Sequence, residues 1–461
     1  MKRPASLRMR LFLVLVAVAG LQEVHGGRKL CPSDRTRVHE AKVPEGFCAV
    51  TWAKDVSGPR GIAVATNGDV LVVETRRHRI TVLWDADGDG ESVKGERAVL
   101  AFGPAFSHGI AIDAVNRWLY ASTAGEVYRW RYAAGNRSFL GEGEVVVNMM
   151  PEDGHFTRTL LVDPLGRLLI SVGSASNVDH DVRRAAVFRV ELPLQQTLEK
   201  AKKQVVHWAD ATIIASGLRN EVGIDFDAEG RLWGVENGVD RLVRSDMGDI
   251  HNDNPAEEVN LIWSPSPNQE DNNENTFFGY PYCWSEGKLA PLKGEGEGTQ
   301  WAHPEFLHDG IHTDEWCRNE SNVVPPQYWL PAHLAPLDIL FYHHQVEGEA
   351  GGRKVGSRAP DPAVPMAKRL LPTEWEGDAF VSNHGSWNRE ITEGRNVLRL
   401  HFEDGKPVEN SLFFSYGGPP GKIWGHKLVG LALGPCADQK ECLFIASDST
   451  NVIFAVGRAD L

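Results

Sequence analysis

The sequence predicts an all-β chain folded as a six-bladed β-propeller. The first observation is a recurrent unit. A Gly leads an apolar-x-apolar strand, a turn with Gly, Asn or Asp follows, and then three or four apolar residues. It occurs at Gly61 (GIAVATNGDVLVVE), Gly109 (GIAIDAVNRWLYAS), Gly223 (GIDFDAEGRLWGVE) and Gly430 (GLALGPCADQKECLFIAS), and with Thr159 in the lead position (TLLVDPLGRLLISVG). A weaker unit combines LDILFYH from Leu337 with DAFVSNHGSWN from Asp378. The second observation is spacing: the first three units start 48 and 50 residues apart, room for four short strands each. The third is that another short strand follows each hairpin, as in RITVLWD and EVYRWRY. Repeats of this size and number argue for a propeller, whereas a β-sandwich predicts no such repeat.

In chain order, Lys2, Arg3, Arg8 and Arg10 precede the apolar run Leu11 to Ala19, which is too short to span a bilayer. Residues 1–26 are expected to be a signal peptide cleaved between Gly20 and Gly27, which makes the protein secreted. Residues 27–57 are expected to form an N-terminal disulfide-bearing segment and 58–461 the propeller. The chain has 461 residues and a net charge of −14; loss of the leader leaves about −17. An acidic chain makes a poor nucleic-acid binder, and no other stretch looks membrane-spanning. The six cysteines fit an oxidising compartment, and pairing in sequence order (Cys31 with Cys48, Cys283 with Cys317, Cys436 with Cys442) is expected among fifteen connectivities. Asn136 and Asn319 begin glycosylation sequons. Leu192 to Lys203 reads as a short exposed helix, Pro265 to Pro331 as long loops over one face, and Gly348 to Pro365 as a mobile stretch.

The stretch Gly217 to Ile262 organises the rest. Its middle is a half-buried hairpin; Arg219 and Asn220 stand at its entrance, and Asn237-Gly238-Val239-Asp240 at its exit. Strand ends are where β scaffolds carry function. Arg60 opens the first unit as Arg219 opens the fourth, and Lys422 and Lys427 bracket the last. Cations at the same end of different blades would converge near the axis and bind a compact polyanion. His155, just before the third unit, could act as a general base at the mouth of a funnel. In NHGSWNRE, His384 ends a strand, Trp387 could stack on a flat ring and Arg389 could bind an anion. Asp85 to Glu96 (DADGDGESVKGE) matches the calcium-loop pattern without its flanking helices, so a polar turn is favoured there. There is no GxGxxG after a strand, no P-loop and no GxSxG elbow.

Six motifs in order, GHFTRTLLVDPLGRLLISVGSASN, GLRNEVGIDFD, ENGVDRL…EEVNLI, FGYPYCW, LPAHLAP and VSNHGSWNRE, resemble the soluble quinoprotein glucose/sorbosone dehydrogenase family, closest to its sorbosone and pyranose dehydrogenase branch. The resemblance runs from about Gly58 to Val456. It implies a six-bladed propeller holding pyrroloquinoline quinone (PQQ) and Ca2+ on its axis and oxidising a sugar or sugar-derived aldehyde, with electrons passed to an external acceptor. It implies His155 as general base, with Arg219 and Asn220 near the reactive carbonyls of the cofactor. Arg60, His384, Trp387, Arg389 and Lys427 would bind the cofactor, and Gly238, Val239 and Asp240 the metal. The chain departs from the pattern in having Glu221 where Pro usually follows Arg-Asn, in a longer segment between Asp240 and Glu257, and in GHKLVG where an Arg-Pro pair is common. Two other classes compete: a calcium-dependent propeller hydrolase of the lactonase kind, which calls for Asn, Asp and Glu rather than Arg and Lys at the axis, and a non-catalytic binding propeller.

Overall fold

The computed structural model describes residues 31, 38–192, 205–265, 275–290, 293–343, 371–437 and 441–459. The expected signal peptide, nearly all of the expected helix at Leu192 to Lys203, and the stretch from Gly348 to Pro365 lie outside them.

Six antiparallel sheets follow one another around an axis. The first is built from Pro59–Val64, Val70–Glu74, Arg79–Leu83 and Arg97–Phe102. The second has Ile110–Asp113, Trp118–Ser122, Val127–Arg131 and Glu144–Asn148; the third has Arg158–Val162, Leu168–Val172, Ala186–Val190 and Thr212–Ser216. The fourth has Glu221–Phe226, Leu232–Glu236, Glu257–Trp263 and Tyr328–Leu330, and the fifth Pro336–Phe341, Ala379–Asn383, Asn396–Glu403 and Lys406–Tyr416. The sixth has Leu428–Pro435, Glu441–Ser447 and Val452–Arg458, and its outer strand comes from the other end of the chain: Phe47–Ala53 pairs antiparallel with Val452–Arg458. The expected propeller boundary at residue 58 is therefore corrected. Residues 47–53 belong to the propeller, because an unpaired outer edge on the sixth blade would leave a row of backbone groups unsatisfied.

The apolar runs that lead each unit are buried on both faces. In the first blade Val70 and Val72 join a core cluster with Phe444 and Ile453 of the sixth, while Leu71 and Val73 join one with Leu119 and Trp130 of the second. Successive side chains of a strand point to opposite faces. One strand thus supplies two neighbouring seams, and continuous runs such as VLVV need no polar alternation. The same holds around the ring, with mixed clusters between blades two and three, three and four, four and five, and five and six.

The leading glycines have a specific cause. A Cβ on Gly61 would lie 2.2 Å from the His108 carbonyl oxygen of the second blade, and one on Gly109 2.1 Å from the Arg158 carbonyl oxygen of the third. A Cβ on Gly430 would lie 2.3 Å from the Arg60 carbonyl oxygen of the first. Innermost strands approach one another backbone to backbone around the axis, and only glycine fits. Thr159, the exception, donates its hydroxyl to the Val222 carbonyl oxygen of the fourth blade.

The three disulfides pair in sequence order: Cys31–Cys48, Cys283–Cys317 and Cys436–Cys442. The first ties the chain upstream to the sixth blade's outer strand. The second staples the ribbon Cys283–Ser285 and Gln300–Ala302 to the short helix Asp314–Arg318 within the expected loop region. The Asp85 carboxylate accepts from the N–H groups of Gly88, Asp89 and Gly90 at 2.7, 3.2 and 2.9 Å, and the carboxylates of Asp85, Asp87 and Asp89 lie within 4.8 Å of one another. Among the described residues no helix is long and apolar enough to cross a membrane.

Candidate active site on the propeller axis

His155 lies in the connection between Glu144–Asn148 and Arg158–Val162, where the second blade passes to the third. Its Nδ1 is 2.8 Å from the Ser174 carbonyl oxygen. A carbonyl only accepts, so Nδ1 carries the proton and Nε2 keeps its lone pair. The Ser174 hydroxyl, 3.2 Å from the same nitrogen, donates to the Ser176 carbonyl oxygen at 2.7 Å. Burial, then the positive charges of Arg219 and Arg158, bring the imidazole pKa down to about 4, against a smaller opposing effect of the Ser174 bond. The ring is neutral at physiological pH.

Arg219 and Asn220 enter the first strand of the fourth blade. Gly173 shows how near they come to His155: a Cβ there would lie 2.4 Å from Asn220 Oδ1 and 2.8 Å from His155 Cβ. The Arg219 guanidinium, 5% exposed, is gripped by the hairpin's exit. Nη1 donates to the carbonyl oxygens of Asn237 and Gly238 at 3.2 and 2.6 Å; Nη2 donates to Asn177 Oδ1 at 3.1 Å and Asp240 Oδ2 at 3.0 Å. Asn177 in turn accepts from the Asp240 N–H and donates to its carbonyl oxygen, at 2.7 and 2.8 Å.

Across the axis, Arg60 Nη1 donates to Asp448 Oδ2 at 3.0 Å, and His384 Nε2 lies 3.1 Å from both Asp448 oxygens. Burial pushes the Asp448 carboxyl up, but its contacts with His384 and Arg60 outweigh that and hold it at about 2. Lys427 is near enough, with Arg60, to oppose protonation of His384. A cavity of about 700 Å³ is lined by Arg60 and Asp448 and by Phe156, the neighbour of His155.

Two further residues expected to bind the cofactor, Trp387 and Arg389, lie on the loop after Ala379–Asn383. Trp387 is 65% exposed, with the Arg241 guanidinium 5.7 Å from its ring centroid. Arg389 donates to the Ala332 carbonyl oxygen at 3.2 Å and to Asp253 and Glu393 at 3.0 and 3.2 Å. The loop carrying both folds sideways onto the fourth blade, where the Glu390 N–H donates to Asn252 Oδ1 at 3.0 Å. Asn388, between them, is the residue that reaches the site: its Nδ2 donates to Asp240 Oδ1 at 2.8 Å. Asp448, Ser174, Asn177 and Asn388 were not singled out from the sequence. Asp448 had a signal in its place, at a strand end of the last unit like Arg60 in the first.

The residues present fit an anionic cofactor. The Nε atoms of Arg60 and Arg219 are buried without a hydrogen-bond partner, donors that an acidic ligand would satisfy. They also fit a hard cation. The Gly238 carbonyl and the Asp240 carboxylate are oxygen donors, as calcium requires, and a carbonyl oxygen keeps a second lone pair beside the Arg219 bond. The buried Val239 sits between them.

Comparison with known proteins gives the family and its fold. The TrAA12-like family matches residues 41–459. The chain belongs to that family. It is similar to a pyrroloquinoline quinone-dependent pyranose dehydrogenase of Coprinopsis cinerea, 28% identical over 377 residues, covering 80% of this chain and 46% of that protein. A pyrroloquinoline quinone-dependent sugar dehydrogenase of Hypocrea jecorina is 33% identical over 299 residues, covering 62% and 66%. This member of the family thus spans about half to two thirds of the length of these curated relatives. The holo form of the PQQ domain of the Coprinopsis cinerea enzyme superposes with a TM-score of 0.72 at 25% identity, over 93% of this chain and 99% of that one. The calcium structure of a Trichoderma reesei enzyme of family AA12 gives the same score and identity, over 92% and 98%.

Proposed function

We propose that this family member is a secreted PQQ- and calcium-dependent oxidoreductase that oxidises a sugar or a sugar-derived aldehyde and passes the electrons to an external acceptor. The observation that carries the reading is His155: a neutral imidazole with Nδ1–H fixed on the Ser174 carbonyl oxygen, beside Arg219 and Asn220. The names of the relatives and the three disulfides support it. Arg60, Arg219, Asn220, His384 and Lys427 would hold the cofactor, and Gly238, Val239 and Asp240 the metal. When bound, PQQ supplies the two-electron acceptor for the hydride of the substrate's C–H bond, with calcium as Lewis acid. The chain's own part is proton transfer and positioning. His155 Nε2 takes the proton of the substrate hydroxyl as its C–H bond breaks. The Ser174 carbonyl fixes the tautomer and stabilises the imidazolium that results.

Reconstitution tests this directly. Protein purified with its disulfides formed is mixed with PQQ and calcium, and the cofactor's absorbance is followed during sugar additions. Saturable binding and reduction, lost in His155→Ala, is the expected result. Failure to bind PQQ with calcium present would overturn the reading and turn attention to lactones or to a binding role.

A further inference from the structure

Arg158 opens the first strand of the third blade, directly after the connection that carries His155. Its backbone is fixed from two sides. It stands opposite Val172 in the blade's own ladder, and its carbonyl oxygen accepts the Ser122 hydroxyl of the second blade at 2.7 Å. Its side chain turns back onto the connection. Nη1 donates to the carbonyl oxygens of His155 and Thr157 at 2.6 and 2.7 Å, and Nη2 donates to the carbonyl oxygen of Pro151. One guanidinium thus ties residues 151–157 together. Gly154 brings the same segment against the third blade, where a Cβ on it would lie 2.2 Å from Ala175 Cα.

His155 is held from both directions. Its backbone N–H and its Nδ1 end on the Ser174 carbonyl oxygen, at 3.0 and 2.8 Å, and its own carbonyl ends on Arg158. Among the described residues this leaves Nε2 as the polar atom of His155 without a bond. The Arg158 side chain is fully buried and its Nε has no partner. It makes no ion pair among the described residues, and the acceptors of its hydrogen bonds are neutral carbonyls. Glu152, on the same segment, offsets its charge from a distance; burial brings the guanidinium down to about 10, so it stays charged at physiological pH. A neutral donor would tie the loop without the desolvation of a cation. What the charge adds is read on His155, where Arg158, with Arg219, opposes protonation of the ring.

We propose that Arg158 is a positioning residue for the proton transfer: through its three carbonyl bonds it sets where His155 presents Nε2 to the substrate hydroxyl. The same charge keeps the imidazole free of a proton before substrate arrives. The proposal rests on the dehydrogenase reading for the reaction served, but one arm of its test needs no turnover.

The experiment compares wild type with Arg158→Gln, which keeps a donor and loses the charge, and Arg158→Lys, which keeps the charge and loses the fork. Urea unfolding establishes that each is folded. In the cofactor-free protein, NMR titration should show the proton affinity of His155 raised about tenfold in Arg158→Gln and near the wild-type value in Arg158→Lys. In protein reconstituted with PQQ and calcium, Arg158→Gln should lower kcat per bound cofactor by about 10²-fold, the scale of a displaced catalytic group. Arg158→Lys should lower it less, and KM should hold in both. The acid limb of the pH profile should move to higher pH in Arg158→Gln, because a base with a raised pKa is lost to protonation sooner. Arg137→Met, which strands the buried carboxylate of Asp69 on the first blade, should cost stability and move none of these readouts. Unchanged His155 proton affinity with unchanged kcat in Arg158→Gln, or a loss carried by KM alone, would overturn the proposal. Where Arg158→Gln does not fold, wild-type kcat in Arg158→Lys overturns it. If PQQ does not bind the wild type, the dehydrogenase reading fails, and the NMR comparison still decides whether Arg158 governs His155.

Discussion

His155 directs Nδ1 at the carbonyl oxygen of Ser174 across 2.8 Å, and that bond fixes which ring nitrogen is free. Because the partner is backbone, the tautomer survives any substitution at Ser174. With a pKa of about 4, the ring stays neutral at all higher pH values. In the cofactor-free protein, an NMR titration should place His155 well below an ordinary histidine. Binding of an anionic cofactor next to Arg219 should raise that value, because the Arg219 charge is one of the causes that lower it. His155→Ala should cut kcat by about 10²- to 10⁴-fold. The depressed value also has a stability consequence. The unfolded imidazole takes up a proton near pH 6.5 and the folded one only near 4, so this group costs stability as pH falls through that window. Wild type should lose more stability there than His155→Ala does.

Arg219 and Asp240 form a pair with side chains 6% and 17% exposed. Removing one partner of a buried pair strands the other. Asp240→Ala should cost about 3 kcal/mol in denaturant unfolding. Calcium at a hundred times its Kd should stabilise the wild type by about 2.7 kcal/mol and the variant by much less. An undiminished calcium shift in the variant would remove Asp240 from the metal site.

Gly109→Ala puts a Cβ 2.1 Å from the Arg158 carbonyl oxygen, and backbone cannot yield as a side-chain tip can. The loss should exceed about 4 kcal/mol or abolish folding. Gly95→Ala, where a Cβ meets nothing within 4 Å, should stay within about 0.5 kcal/mol of wild type. Urea unfolding of the two variants side by side checks the axial-packing account.

Cys31–Cys48 anchors the strand that closes the ring. Cys31→Ser with Cys48→Ser should cost about 3 kcal/mol. It should also raise hydrogen exchange first in residues 47–53 and 452–458, the two paired strands. Exchange increased evenly around the ring would mean that closure does not depend on this anchor.

The sequence by itself determined the repeat, and with it the fold. The glycines at 61, 109, 223 and 430, the apolar runs and the turn residues are local patterns, and a propeller repeats local patterns. It also singled out His155, Arg219 and Asn220, because each stands at a strand end within a recognisable motif. Only the tertiary structure decided how side chains from different blades pair. Asp448 joins Arg60 from 388 residues away, and Asn388 reaches Asp240 across 148. Trp387 and Arg389 flank Asn388 in sequence, yet one is exposed and the other is paired with Asp253 and Glu393. The reason is physical. Strand periodicity and turn chemistry are written in neighbouring residues, whereas the direction of a loop side chain is set by whichever partner a neighbouring blade brings within hydrogen-bonding distance.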